Sequence, residues 1–364
     1  MIPAQLRAWA GAVPKPDASA VKECRRRMDA IAKPLDGLGL FEEMIARMAG
    51  MQRTAQVGIA KAKLPVFCAD NGIVEEGVAQ SDASVTAAVA LSLGRGTSSV
   101  CRMAKEAGID VLPVDIGMQK AVPEEKGVRN CNIRRGTGNF LKGKAMTEEE
   151  AVAAIRCGLE LAEECAAEGA QLLLTGEMGI GNTTTSAAMA AALLHLPVET
   201  VTGRGAGLTD AGLQRKRDVI RLGLQLHGFE RGDETVEAAE VFRLLCSVGG
   251  LDIAGMAGVF LGGALCDTPV VIDGVISAVA ALTAERLFPG CRAYMLASHQ
   301  GKEPAMPVLL ARLGLRAPVH AALALGEGTG GVMLVPLLRM ALAVYHGDTG
   351  FDALGMVPYE RYGK

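Results

Sequence analysis

The sequence predicts an α/β fold, a parallel sheet flanked by helices, and three observations carry that expectation. Half of the 364 residues are hydrophobic, 45 are glycine and only 4% are aromatic. This balance suits an Ala/Gly-rich α/β protein better than a β-sandwich. Five short apolar runs stop at small or polar residues, as buried parallel strands do. Ala-rich stretches without breakers lie between them and read as helices.

The elements follow in order. Asp17 reads as the N-cap of a helix with Val21, Cys24, Met28 and Ile31 on one face. Lys33–Gly39, with Pro34, Gly37 and Gly39, breaks it, and a second helix is expected from about Leu40 to Met51. The apolar runs are Leu64–Cys68, Val111–Val114, Leu172–Leu174, Pro269–Ile272 and Ala293–Leu296. They end at Asp70-Asn71-Gly72, Asp115, the Gly176–Ser186 segment, Asp273-Gly274 and Ser298-His299. Ligands of open α/β sheets bind at the carboxyl ends of strands, so all five endings are expected to line one crevice. Gly331–Tyr345 reads as a last helix. The terminal segments, 1–55 and 331–364, are read as a smaller helical lobe beside a large domain over 56–330.

Composition narrows the function. Thirty-seven Lys and Arg against 40 Asp and Glu leave a net charge of −3, which argues against nucleic acid or an anionic membrane as the main partner. The apolar run between Asp252 and Asp267 is too short to span a bilayer, and no apolar leader follows Met1, so a cytoplasmic protein is expected. Nine scattered cysteines without Cys-x-x-Cys spacing read as reduced, buried thiols. Five histidines form no ligand cluster, so neither a metal nor another cofactor is expected.

The most informative stretch is Gly176-Glu177-Met178-Gly179-Ile180-Gly181-Asn182-Thr183-Thr184-Thr185-Ser186. A strand, a glycine turn and a helix start make an anion site, because first-turn N–H groups and the helix dipole both favour negative charge. A phosphate is the expected guest, with Glu177 at its edge. The stretch is neither a Walker A loop nor Gly-x-Gly-x-x-Gly. A second site is Leu325-Gly326-Glu327-Gly328-Thr329-Gly330. A carboxylate among glycines with apolar flanks is expected in an apolar cleft, with a raised pKa suited to general base work. In a third glycine loop, Gly203-Arg204-Gly205, Arg204 and the following Lys216 can neutralise a phosphate. His299 reads as structural.

These motifs, in this order, resemble the nicotinate-nucleotide–dimethylbenzimidazole phosphoribosyltransferase family of cobalamin biosynthesis. The matching pieces span most of the chain. They include Lys33-Pro34 with Gly37-Leu38-Gly39, Glu76-Gly77-Val78, Gly249-Gly250 and Asp273-Gly274. The Gly176–Thr184 and Gly326–Gly330 strings are highly specific together. The resemblance implies transfer of phosphoribose from nicotinate mononucleotide to a benzimidazole, giving α-ribazole 5′-phosphate and nicotinate. It implies a homodimer with a Rossmann-like large domain and a small domain built from both termini. It makes Glu327 the general base and places Glu177 in the active site. Gly179, Gly181, Asn182, Thr183, Thr184, Gly203, Lys216, Asp273 and Gly274 are then expected at the phosphate and ribose. Gln80, Ser81, Ala88 and Leu325 are expected at the lower base.

The chain departs from the family pattern in three places. The usual Asp-His-Gly is Asp70-Asn71-Gly72. The usual Ser-Ala-Glu-Pro-Gly-His after the late strand reads Gln300-Gly301-Lys302-Glu303-Pro304-Ala305-Met306. The frequent Val-Thr-Ala-Gln is Val85-Thr86-Ala87-Ala88. Loss of that glutamine is expected to loosen or redirect base choice. Two other readings stay open at this point. One is a nucleotide-binding regulatory or carrier protein without turnover, which the retained Glu177 and Glu327 argue against. The other is a P-loop-like phosphotransferase, which the missing Gly-Lys-Ser/Thr argues against.

Overall fold

The computed structural model describes residues 2–123, 126–229, 237–347 and 349–361. Its centre is a parallel sheet of seven strands: β1 (Ala62–Ala69), β2 (Ile109–Gly117), β3 (Arg129–Asn130), β4 (Leu172–Leu174), β5 (Gly176–Met178), β6 (Val270–Ile272) and β7 (Met295–Ala297). The order is β3-β2-β1-β4-β6-β7, with β5 also paired to β1. Every residue of β1 is buried, as expected of a strand covered on both faces. Chain order reverses direction at β1, with β2 and β3 on one side and the later strands on the other. Such a switch point is where an open sheet leaves a crevice.

The five expected runs all appear, with two corrections. Ala293-Tyr294 belongs to a 3₁₀ turn, Cys291–Tyr294, and the strand starts only at Met295. Gly176–Met178, expected to be part of a turn, is a short strand in register with Val66–Cys68. Thr175 separates it from β4, and its hydroxyl donates to the Val271 carbonyl of β6 at 2.9 Å.

The helix starts carry the expected local chemistry. Asp17 accepts from Ser19 N–H at 2.7 Å and Ala20 N–H at 3.2 Å and begins Ala18–Ala30. Helix Leu40–Met51 follows the Lys33–Gly39 break, where Glu42 accepts from Lys33 Nζ at 2.7 Å and Leu38 N–H at 2.9 Å. The last long helix is Thr329–Tyr345. The chain ends meet: Tyr345 donates to the Ala55 carbonyl at 2.7 Å, and Arg361 pairs with Asp29 and Asp36. Side chains from these segments, among them Cys24, Met48, Leu338 and Tyr345, join the same continuous core as the sheet. Within 1–55 and 331–364, Met1, Asp348 and residues 362–364 lie outside the described residues. Among the described residues no helix is long and apolar enough to cross a membrane.

Helices Glu148–Ala167 and Leu251–Leu265 cross on glycine. A β-carbon at Gly158 would run into the Gly255 carbonyl, and one at Gly258 into the Ile155 carbonyl. Leu251–Leu265 is buried along its length and starts at the site described below, so this crossing sets where Asp252 sits. In an open helix Gly→Ala gains about 1 kcal/mol of propensity. Gly158→Ala is instead expected to lose about 1–3 kcal/mol by overpacking. Urea denaturation reads the difference, and an unchanged or raised midpoint would contradict the close crossing.

Candidate active site

A cavity of about 280 Å³ opens at the carboxyl ends of β5, β6 and β7. Its wall brings the two main motifs together: Glu177 and Gly179–Thr183 on one side, Leu325-Gly326-Glu327 on the other. Asp273-Gly274, His299, Gly301–Glu303 and Gln80-Ser81 complete it. Three of the five strand endings therefore reach this wall. The end of β2 does not: Asp115 is still a strand residue, and its Oδ1 accepts from Met118 N–H and Asn132 Nδ2, each at 2.8 Å. The end of β1 lies beneath the glycine loop. Asn71 Nδ2 donates to the Ile180 carbonyl at 3.3 Å, and Thr86 Oγ1 accepts from Ile180 N–H at 3.2 Å. Asn71, the departure from Asp-His-Gly, thus holds the loop.

Glu327 lies on a strained turn. Gly326, Glu327 and Gly328 have φ of 83°, 59° and 90°. Left-handed backbone suits the glycines, whereas for Glu327 it costs on the order of 1–3 kcal/mol and marks a functional position. Asp273 holds the turn. Its Oδ1 accepts from Gly330 N–H at 2.8 Å and Gly331 N–H at 3.1 Å, and its Oδ2 from Gly328 N–H at 3.2 Å. Expected at the ribose, Asp273 uses both oxygens on the backbone that carries Glu327. Burial pushes its carboxyl up, while nearby His299 and the three N–H groups pull it down. The Glu327 carboxylate is partly exposed, and its Oε2 accepts from Val100 N–H at 3.3 Å in the first turn of Ser99–Ala107. The carboxylate thus meets a helix start at one edge of a cavity whose wall also carries Met178, Ile276, Leu323 and Leu325.

The burial-raised carboxyls lie opposite. Glu177 and Asp252 are buried and share one partner, with Asn182 Nδ2 donating to Glu177 Oε2 and, at 3.0 Å, to Asp252 Oδ2. Ile253 N–H donates to Asp252 Oδ1 at 2.9 Å. No ion pair reaches either carboxyl among the described residues. Burial, then the Asp252 charge, pushes Glu177 well up, and burial pushes Asp252 up to about 6. Asp252 escaped the sequence reading because it belongs to no motif; its signal was a single charge at the start of an otherwise uncharged helix.

The phosphate and ribose residues divide into two layers. Gly179, Gly181, Asn182 and Thr183 line the cavity. Gly181 is the N-cap of Asn182–Leu194 with φ 91°, and no side chain caps that start. Lys216 stands behind the wall, almost fully buried, with Nζ donating to Thr183 Oγ1 at 2.8 Å. Burial lowers its ammonium to about 8, against the pull of Glu303. Thr184 is buried and Gly203 backs the wall, its Cα against the Glu303 carboxylate. Of the base residues, Gln80, Ser81 and Leu325 rim the cavity, while Ala88 is exposed on helix Ser84–Gly94 and is not part of its wall. His299, read from the sequence as structural, packs against Gly330 where no β-carbon fits and meets Ser298 Oγ at 2.9 Å through Nδ1.

Asp252 makes a signed prediction. An ordinary aspartate titrates at 3.8, and burial raises this carboxyl to about 6 in the fold, so the folded chain prefers the protonated form. That contribution is complete below about pH 4 and is lost as pH rises through 6. Asp252→Asn should therefore gain on the wild type by roughly 2–3 kcal/mol between pH 4 and pH 8. Urea midpoints across that range test it; a difference that does not vary with pH would contradict the assignment.

Relatives with this architecture are plain. A family profile described as Phosphoribosyltransferase matches residues 13–355. The nicotinate-nucleotide–dimethylbenzimidazole phosphoribosyltransferase of Desulforamulus reducens is 38% identical over 342 residues, 94% of this chain and 95% of that protein. The protein of the same name from Pseudomonas putida is 39% identical over 340 residues, 93% of this chain and 95% of its own. The crystal structure of CobT from Thermus thermophilus superimposes with a TM-score of 0.86 at 37% identity, covering 93% of this chain and 99% of that one. With its two glutamate loops facing one cavity and this extent of likeness, the chain belongs to the nicotinate-nucleotide–dimethylbenzimidazole phosphoribosyltransferase family.

Proposed function

We propose that this chain transfers the phosphoribosyl group of nicotinate mononucleotide to 5,6-dimethylbenzimidazole or a related lower base. The products are α-ribazole 5′-phosphate and nicotinate, for the nucleotide loop of cobalamin. The observation that carries the reading is that Glu327 and Glu177 line one cavity together with a glycine loop at a helix start.

The chemistry asks little of the protein beyond placement. Nicotinate departs from a pyridinium and needs no general acid. As one nitrogen of the incoming base attacks C1′, the other must lose its proton, and Glu327 is the acceptor. A positioned base of this kind contributes about 10²–10⁴-fold. Attack from the face opposite the leaving group inverts the anomeric carbon, as in inverting glycosyl transfer. Gly179–Thr183 receive the 5′-phosphate, with Arg204 in the wall and Lys216 behind Thr183 supplying positive charge. Glu177, held toward its neutral form, is a hydrogen-bond donor to the ribose side. Gln80, Ser81 and Leu325 take the lower base. Base choice is relaxed toward other benzimidazoles or adenine, a reading that rests on the missing family glutamine and not on the cavity wall, which Ala88 does not reach. The working unit is a homodimer, which the exposed Met333, Met340 and Val344 along helix Thr329–Tyr345 support; light scattering near twice 37.8 kDa checks it.

The test is nicotinate release from nicotinate mononucleotide with an equimolar panel of benzimidazoles, phenols and adenine. A new α-nucleotide is expected, drawn from more than one base. Exclusive use of dimethylbenzimidazole would refute the relaxed choice, and binding without release would favour a non-catalytic binder. Glu327→Gln should keep nucleotide binding and lose about 10²–10⁴-fold in turnover; near-normal rates would remove Glu327 from the base role.

A further inference from the structure

Six of the nine cysteines are buried; Cys131, Cys157 and Cys266 are partly exposed. Two of these three meet outside the cavity. Helix Glu148–Ala167 carries Glu150, Cys157 and Glu164 seven residues apart, hence on one face. Residues 129–134 run along that face in the opposite direction, since Arg129 pairs with Glu164 at 2.6 Å and Arg134 with Glu150 at 3.0 Å. The two ion pairs pin the segment at both ends and set Cys131 over Cys157. Both cysteines are partly exposed, and the neighbouring Cys157 thiol and the Arg129 guanidinium draw the Cys131 thiol down against the effect of burial. A stabilised thiolate, partly exposed and beside a second thiol, is the arrangement of a reactive cysteine with a resolving partner.

We propose that Cys131 and Cys157 are a redox-active dithiol, in which Cys131 reacts with a hydroperoxide and Cys157 closes the disulfide. The Cys131 thiolate attacks the outer peroxide oxygen. The O–O bond breaks, the alcohol leaves with the proton lost by Cys131, and Cys131 becomes a sulfenic acid. Cys157 then attacks that sulfur, the S–O bond breaks, and the oxygen departs with the Cys157 proton as water. Two thiols and one hydroperoxide give one disulfide, one alcohol and one water, with two electrons passing from sulfur to peroxide. The oxidised segment is also tied to the cavity floor: Thr137 N–H donates to the Asp70 carbonyl at 3.0 Å, and Thr137 Oγ1 accepts from Gly72 N–H at 3.1 Å.

The test uses the full, reduced chain at pH 7 with one equivalent of hydrogen peroxide, followed by digestion and mass spectrometry. The expected product is a Cys131–Cys157 linked peptide two hydrogens lighter than its parts, reversed by dithiothreitol. In Cys157→Ser, dimedone should trap Cys131 as a sulfenic acid. Without peroxide, iodoacetamide should alkylate Cys131 of the wild type roughly tenfold faster than Cys266, since Cys157 and Arg129 favour the Cys131 thiolate while burial disfavours that of Cys266. Equal alkylation rates would overturn the reactive thiolate. Oxidation of other cysteines while this pair stays reduced, or over-oxidation of Cys131 with no link, would overturn the dithiol.

Discussion

One buried carboxylate ties the sheet to the chemistry. Asp273 follows β6, and its two oxygens take three backbone N–H groups from the turn carrying Glu327. Charge-assisted bonds to backbone N–H are about twice as strong as neutral ones. Three of them can hold a left-handed glutamate that would otherwise relax. The close approaches around it follow. Gly176 faces the Glu327 carbonyl and Gly330 faces His299, each where a β-carbon would collide. The glycine-rich strings that mark the family are thus partly a packing requirement of this one turn.

Across the cavity the constraint is of the opposite kind. Glu177 and Asp252 are like charges in a buried place, with the Asn182 amide bridging them and no cation among the described contacts. Two such carboxyls cannot both ionise cheaply, so the pair holds a proton that an isolated carboxyl would lose. One glutamate of the site is thereby kept toward the donor form, and the other rests as an acceptor on a helix start. The glycine crossing of Glu148–Ala167 with Leu251–Leu265 is what delivers Asp252 to this position.

Much of this was legible in the residues, for reasons that can be named. Apolar runs that end at small or polar residues revealed β1, β2, β4, β6 and β7, because buried parallel strands have few other compositions. Gly176–Met178 hid as a strand because glycine flanks make it look like a turn, and its pairing with β1 is a long-range fact. Ala293-Tyr294 was counted as strand because apolarity alone does not separate a strand from a tight 3₁₀ turn. Glu177 and Glu327 stood out through their glycine neighbours. Asp252 did not, since burial of a lone carboxylate beside another depends on how two distant helices cross. For the same reason the contact of Glu327 with Val100 was not legible: the two lie 227 residues apart in the chain.

The most direct test separates positioning from substrate contact at Asp273. Asp273→Asn removes one of the two acceptor oxygens that hold the Glu327 turn. Nicotinate mononucleotide affinity, by calorimetry, and nicotinate release should be measured on the same preparation. The account predicts affinity within about threefold of wild type and turnover lower by about 10²-fold, the order expected when a reacting group is misplaced by about 1 Å. Loss of affinity with normal turnover of the bound nucleotide would contradict it and make Asp273 a ribose ligand instead.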